Sequence, residues 1–228
     1  MTEIKTTIDI HNLDIDVDKA AILKEINNLP DSDWYFVKFH GGWICGLYND
    51  REEGSGGWFP KGFNPNLPED GAVVKAIRDH IFPYVGGTGN ITIIRTPPNQ
   101  GLNDHLDSTP EEMGTDKPKF RWVLKGKLET MYFFDKDYNK VSFTPTSDKY
   151  IVNGAHPHGM YNNGDETKFT MCLGHPWQDN EIFRRNIETQ VSQVVTFPNK
   201  VLDSWVDQRF IHGKVGVGIT EVQNIKPT

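Results

Sequence analysis

The sequence predicts a mainly β protein, a sandwich or jelly roll, with helical flanks. Three observations carry that reading. Short apolar runs rich in β-branched and aromatic residues recur from residue 90 onward, and within them the apolar period is two. Glycine (21) and proline (14) are spread along the chain and cut it into short segments. Two stretches with apolar residues at helical spacing lie before that region and one after it.

The first helix is expected over about Asp16 to Asn28, where Ile15, Ala20, Ile22, Leu23 and Ile26 recur at helical spacing and Leu29-Pro30-Asp31 stops it. Trp34–Phe39 and Trp43–Tyr48 read as a hairpin about Gly41-Gly42. Residues 49–67 read as a long Gly-, Asn- and Pro-rich loop, a length that points to service at a site, such as a lid. A second helix is expected over Glu69 to Ile81. Then come strands at Ile91–Arg95, Lys119–Leu124, Thr130–Phe134, Lys140–Phe143, Lys149–Asn153, His158–Tyr161 and Phe169–Leu173, with a tight turn at Lys125-Gly126-Lys127. Short strands at this even spacing are the signature of a sandwich or jelly roll. Asp179 to Val194 reads as a helix with Ile182, Phe183, Ile187, Val191 and Val195 as its apolar stripe. The tail adds a short helix about Val201–Gln208 and a strand-like Val215–Ile219. No repeat or low-complexity tract divides the chain, so residues 1–228 are expected to form one domain, with the β core about 89–175 and helical flanks at 1–88 and 176–228.

Composition excludes several function classes. The length, 228 residues, suffices for one buried core. The net charge is −7 with no basic block, so non-specific nucleic-acid binding, which needs clustered Lys and Arg, is not expected. No apolar run is long enough for a membrane helix, and Met1–Thr7 lacks a signal-peptide segment. Two cysteines, Cys45 and Cys172, are too few for a disulfide framework or a thiolate zinc site. The expectation is a soluble, cytoplasmic protein.

One constellation carries chemistry. Of eight histidines, only His105 stands two residues before a carboxylate, in His105-Leu106-Asp107. On a strand, positions i and i+2 share a face, so both side chains can reach one metal ion. Downstream, His158 begins a strand–turn–strand pattern, and Lys168 follows ten residues later beyond Asn162-Asn163-Gly164. The spacing fits a hairpin with His158 and Lys168 on one face, or a corner between two sheets. Two imidazoles and one carboxylate leave open coordination positions and suit Fe(II) oxygen chemistry. The lysine supplies a point charge for the far end of a dicarboxylate.

At these residues the sequence resembles the 2-oxoglutarate- and Fe(II)-dependent oxygenases. His105 and Asp107 match the His-x-Asp half of the iron triad, His158 the distal histidine, and Lys168 the basic residue that holds the cosubstrate's distal carboxylate. Lysine in that place is typical of the prolyl 4-hydroxylase type. Phe120-Arg121-Trp122-Val123-Leu124, with Asn153 and the His158 segment, is similar to the aspartyl/asparaginyl β-hydroxylase-like branch. There an arginine at the Arg121 position helps to bind 2-oxoglutarate and a histidine usually follows two residues on, where this chain has Val123. The resemblance covers about residues 89–175. It implies a double-stranded β-helix (jelly roll, cupin-like), with His105, Asp107 and His158 as metal ligands and catalytic centre. It also implies Lys168 and Arg121 as cosubstrate-binding residues, and Fe(II), 2-oxoglutarate and O2 as cofactors. The implied reaction hydroxylates an amino-acid, peptide or small-metabolite substrate, with release of succinate and CO2. The carboxylate ligand favours hydroxylation, since halogenating members lack it.

Other signals weigh less. Cys45 and Cys172 sit in apolar strand patterns and read as buried. Glu53–Gly57 is Gly-rich but lacks the Lys-Ser and helix start of a phosphate cradle. Arg184-Arg185 reads as a solvated helix face, and Trp122, Tyr132, Tyr150 and Tyr161 as core aromatics with room to line a pocket. Two alternatives share the fold: a cupin-type metal enzyme that does not use 2-oxoglutarate, and a non-catalytic jelly-roll binding protein.

Overall fold

The computed structural model describes residues 3–37, 41–50, 60–85, 90–107, 118–128, 131–173 and 187–197. Thirteen strands and two main helices lie in that part of the chain: β1 (Ile4–Leu13), α1 (Lys19–Asn27), β2 (Trp34–Val37), β3 (Gly42–Asn49), β4 (Gly62–Phe63), α2 (Ala72–His80), β5 (Ile91–Thr96), β6 (Gly101–His105), β7 (Pro118–Lys125), β8 (Met131–Phe134), β9 (Lys140–Val141), β10 (Lys149–Asn153), β11 (His158–Tyr161), β12 (Lys168–Leu173) and β13 (Ile187–Phe197).

The eight strands from β5 to β12 form the jelly roll. β5, β7, β10 and β12 lie in one sheet, in the order β10-β7-β12-β5, while β6, β8, β9 and β11 form a second, in the order β6-β11-β8-β9. The chain crosses between the sheets at nearly every connection, and all pairings are antiparallel. The first sheet is then extended on both sides, by β1 and β13 beyond β10 and by β3 and β2 beyond β5.

Alternation along the strands makes three layers. On β7, Phe120, Trp122 and Leu124 point outward to pack with α1 and α2, together with Phe169, Met171 and Leu173 of β12. The opposite face meets the small sheet, where Val123, Tyr150 and Val152 pack with Leu102, Phe133 and Met160. The helices are tied together at their ends. Asp18 caps α1 through the Ala21 N–H, and the Glu25 carboxylate of α1 accepts from the Ala72 and Val73 N–H groups that open α2.

Several expectations are revised. Ile187–Phe197 is a strand paired with β1 along ten residues, not the end of a helix over 179–194. Ile187, Val191 and Val195 recur every fourth residue, a spacing that helix and strand periods share. β1 was not expected, because Thr6 stands among its inward positions with Ile8 and Ile10. The flank before residue 89 is therefore not only helical; it supplies strands to the large sheet. The second helix starts at Ala72, three residues later than expected. Lys125-Gly126-Lys127 does not close a hairpin, since β8 joins the other sheet. Within the expected 49–67 loop, Gly62–Phe63 pairs with Tyr48–Asn49; residues 51–59 lie outside the described part, as do 174–186 and the tail after 197. No helix among the described residues is long and apolar enough to cross a membrane.

Candidate active site

The site begins with a strand pairing. β6 and β11 run antiparallel in the small sheet, with His105 directly opposite His158 and a bulge just after it. Both side chains are buried, and their ring centroids are 4.3 Å apart. Asp107 lies two residues beyond His105, just past the strand end, where its N–H donates to the Gly154 carbonyl at 2.8 Å. One ligand atom from each of the three side chains falls within 4.8 Å of the others. Asp107 Oδ1 is 3.7 Å from His105 Nε2, and Asp107 Oδ2 is 3.5 Å from His158 Nε2.

The orientation of these groups suits a cation. His158 Nδ1 lies 2.8 Å from the His156 carbonyl oxygen. A carbonyl only accepts, so Nδ1 carries a proton and Nε2 is the nitrogen turned toward Asp107. Neither His158 Nε2 nor Asp107 Oδ2 has a hydrogen-bond partner among the described residues. A cation held between them would satisfy both. Burial would raise the Asp107 pKa, but Lys119, whose Nζ is 3.7 Å from Oδ2, and the two imidazoles outweigh it and hold the carboxyl well below its usual range. The donor set of two imidazoles and one carboxylate fits Fe(II).

Lys168 opens β12 and pairs with Thr96 of β5. Phe169, Met171 and Leu173 face the helices, so Lys168, Thr170 and Cys172 face the barrel interior. Only 1% of Lys168 is exposed, and burial pushes its ammonium pKa down to about 7. β11 and β12 belong to different sheets, so the interval between His158 and Lys168 is a corner and not a hairpin. Asn162 pins that corner: its side-chain N–H groups donate to the Thr96 and Glu166 carbonyls, and its Oδ1 accepts from Gly164.

Arg121 also faces the interior, beside Cys172 on β12 and Tyr150 on β10. Its Nε and the Tyr150 hydroxyl are buried without a hydrogen-bond partner among the described residues. Val123, where a histidine would follow the arginine in the β-hydroxylase-like branch, packs instead in the apolar core between the sheets. All five expected site residues thus line one barrel. Sequence reasoning missed Lys119 as a neighbour of Asp107, a contact made between the two sheets; Tyr150, a core aromatic with room to line a pocket, is the register partner of Arg121. Cys45 and Cys172 are buried free thiols, and burial pushes Cys45 up to about 12.

No family model matches the sequence, and no curated protein matches it. Solved structures do. The chain is similar to an oxidoreductase of the 2OG-Fe(II) oxygenase family from Burkholderia pseudomallei, at 16% identity over 68% of this chain and 76% of that one, with a TM-score of 0.46. It is similar to a prolyl hydroxylase from Trichoplax adhaerens, solved with a hypoxia inducible factor peptide fragment, at 13% identity over 74% and 82%, TM-score 0.48. A prolyl-4-hydroxylase from Pseudomonas putida matches at 13% identity over 76% and 93%, TM-score 0.44.

Proposed function

We propose that the protein is a 2-oxoglutarate- and Fe(II)-dependent dioxygenase that hydroxylates an amino-acid, peptide or small-metabolite substrate. The observation that carries this reading is a lysine ammonium, 1% exposed, inside the barrel that presents two unpaired imidazole and carboxylate acceptors. A metal enzyme of the cupin type that does not use 2-oxoglutarate has no need of a cation buried there. An arriving dianion restores the charge that burial suppresses on Lys168.

His105, Asp107 and His158 hold Fe(II) in this reading. Bound there, the metal would supply O2 activation, coupled to oxidation of 2-oxoglutarate to succinate and CO2 and to hydroxylation of the substrate. The chain's own part is binding, orientation and exclusion of water. Lys168 pairs with the distal carboxylate as a point charge. Arg121 Nε and the Tyr150 hydroxyl, both lacking partners among the described residues, face the same interior and supply further donors to the cosubstrate. The His156 carbonyl fixes the tautomer of His158, and the Gly154 carbonyl fixes the backbone at Asp107.

The test is succinate formation from 2-oxoglutarate by Fe(II)-loaded protein in air, across a panel of amino acids and peptides. Background turnover that disappears in Asp107→Ala is expected. Turnover in Asp107→Ala equal to that of the natural chain would contradict the assignment.

A further inference from the structure

The reaction above needs a cation for the cosubstrate, and Lys168 and Arg121 supply it. The barrel holds another. Lys119 lies on β7 two residues before Arg121 and so shares its interior face. Its side chain is 20% exposed, whereas Lys168 is 1% exposed, so Lys119 sits nearer the open end of the barrel. Its Nζ is 3.7 Å from Asp107 Oδ2, a contact between charges that is too long for a hydrogen bond.

We infer that Lys119 is the anchor for a carboxylate on the prime substrate, so that the substrate is a carboxylic acid bound by its anion beside the metal. The inference rests on the dioxygenase reading. Were Fe(II) and 2-oxoglutarate bound, Asp107 would be committed to the metal and Lys168 to the distal carboxylate of the cosubstrate. The Lys119 ammonium, 20% exposed and 3.7 Å from Asp107 Oδ2, would then share its counter-ion with the metal. A cation beside a divalent metal is costly unless an anion joins it.

The backbone is shaped to keep Lys119 there. A Cβ at Gly154 would fall 2.8 Å from Lys119 Cγ and 2.9 Å from Asp107 Oδ2. Only glycine lets the lysine stem and the ligand carboxylate lie together against β10's exit. Further in, Arg121 is buried on the same face, 8% exposed, and belongs with Lys168 to the cosubstrate, which leaves Lys119 as the cation beside the metal ligands.

The chemistry is that of a free acid or of an acidic side chain in a peptide, and the experiment separates these. Full-length protein is loaded with Mn(II) without O2, and water-proton relaxation of the bound metal is followed on adding 2-oxoglutarate. The twenty L-amino acids, their carboxamides, and Asp- and Glu-containing peptides with blocked ends are then titrated in. At least one free acid or acidic peptide is expected to perturb the signal while its amide does not. Lys119→Met weakens that binding by about tenfold or more, as loss of a charged hydrogen bond predicts. Lys119→Arg retains it, and both variants still take up 2-oxoglutarate. Absence of any carboxylate binding, or binding that survives amidation or Lys119→Met, overturns the inference. Failure of 2-oxoglutarate itself to bind the Mn(II)-loaded natural chain overturns the dioxygenase reading as well.

Discussion

His158 Nδ1 lies 2.8 Å from the carbonyl oxygen of His156, two residues earlier on the same approach to β11. One main-chain group therefore decides which nitrogen of the ring is free. Nε2 faces Asp107 Oδ2 across 3.5 Å.

That arrangement predicts a strong stability response to metal. A metal ion would meet the Asp107 carboxylate and both imidazoles at once, and an ion that binds only the folded chain stabilises it. Saturating Mn(II) or anaerobic Fe(II) at about 100 times its Kd is expected to stabilise the fold by about 2.7 kcal/mol, read by thermal or denaturant unfolding. EDTA reverses the gain. His158→Ala and Asp107→Ala show no gain, and a full gain in either variant would place the metal elsewhere.

Lys168 predicts a pH dependence whose sign is fixed. Its pKa falls from 10.5 in an exposed chain to about 7 in the fold. Between those values the unfolded chain carries the extra proton, so stability rises with pH from about 7 to 10.5. Near neutral pH the buried ammonium costs on the order of a few kcal/mol. Lys168→Met removes this slope and stabilises the protein without ligands. In the natural chain, 2-oxoglutarate with metal flattens the same slope, as urea unfolding at pH 7, 8 and 9 would reveal.

Gly101 predicts a coupling of backbone and site. A Cβ there would fall 2.0 Å from the Met160 carbonyl oxygen and 2.6 Å from Tyr161 Cα, across the β6–β11 pairing that sets His105 against His158. Gly101→Ala pushes the strands apart. Metal affinity, measured by calorimetry, is expected to fall at least about tenfold, with a loss of about 1–3 kcal/mol in stability. Unchanged metal affinity would show that this pairing does not govern the ligands.

Phe133 predicts how far packing holds the ligands. It is fully buried opposite His158, with its ring centroid 6.5 Å from that imidazole and 6.0 Å from His156. Phe133→Ala is expected to cost about 3–5 kcal/mol. The cavity frees the imidazole that the His156 carbonyl alone then holds, so the variant also loses part of its metal affinity in calorimetry; Phe133→Leu retains most of both.

Strands β7, β8, β10, β11 and β12 are legible because alternation and turn residues agree there, and the His105–Asp107 pair stands out because His105 is the one histidine with a carboxylate two residues on. Lys168 was legible by spacing, although the spacing did not separate hairpin from corner; the Asn162 hydrogen bonds decide that, and they are tertiary. β13 was read as helix since a four-residue apolar interval serves both periods. β1 was invisible because its buried Thr6 is polar by type, and its strand partners lie more than a hundred residues away. Lys119 reaches Asp107 only through the crossing of the two sheets, a relation no local pattern encodes.

In the proposed reading, His105, Asp107, His158 and Lys168 serve one metal and one bound dianion. Calorimetric titration of 2-oxoglutarate into anaerobic, Mn(II)-loaded protein is the decisive measurement. Binding that requires the metal, vanishes in Asp107→Ala, and weakens by about tenfold to a hundredfold in Lys168→Met is the predicted result. Metal-loaded protein that binds 2-oxoglutarate equally well with and without the Lys168 ammonium would contradict it.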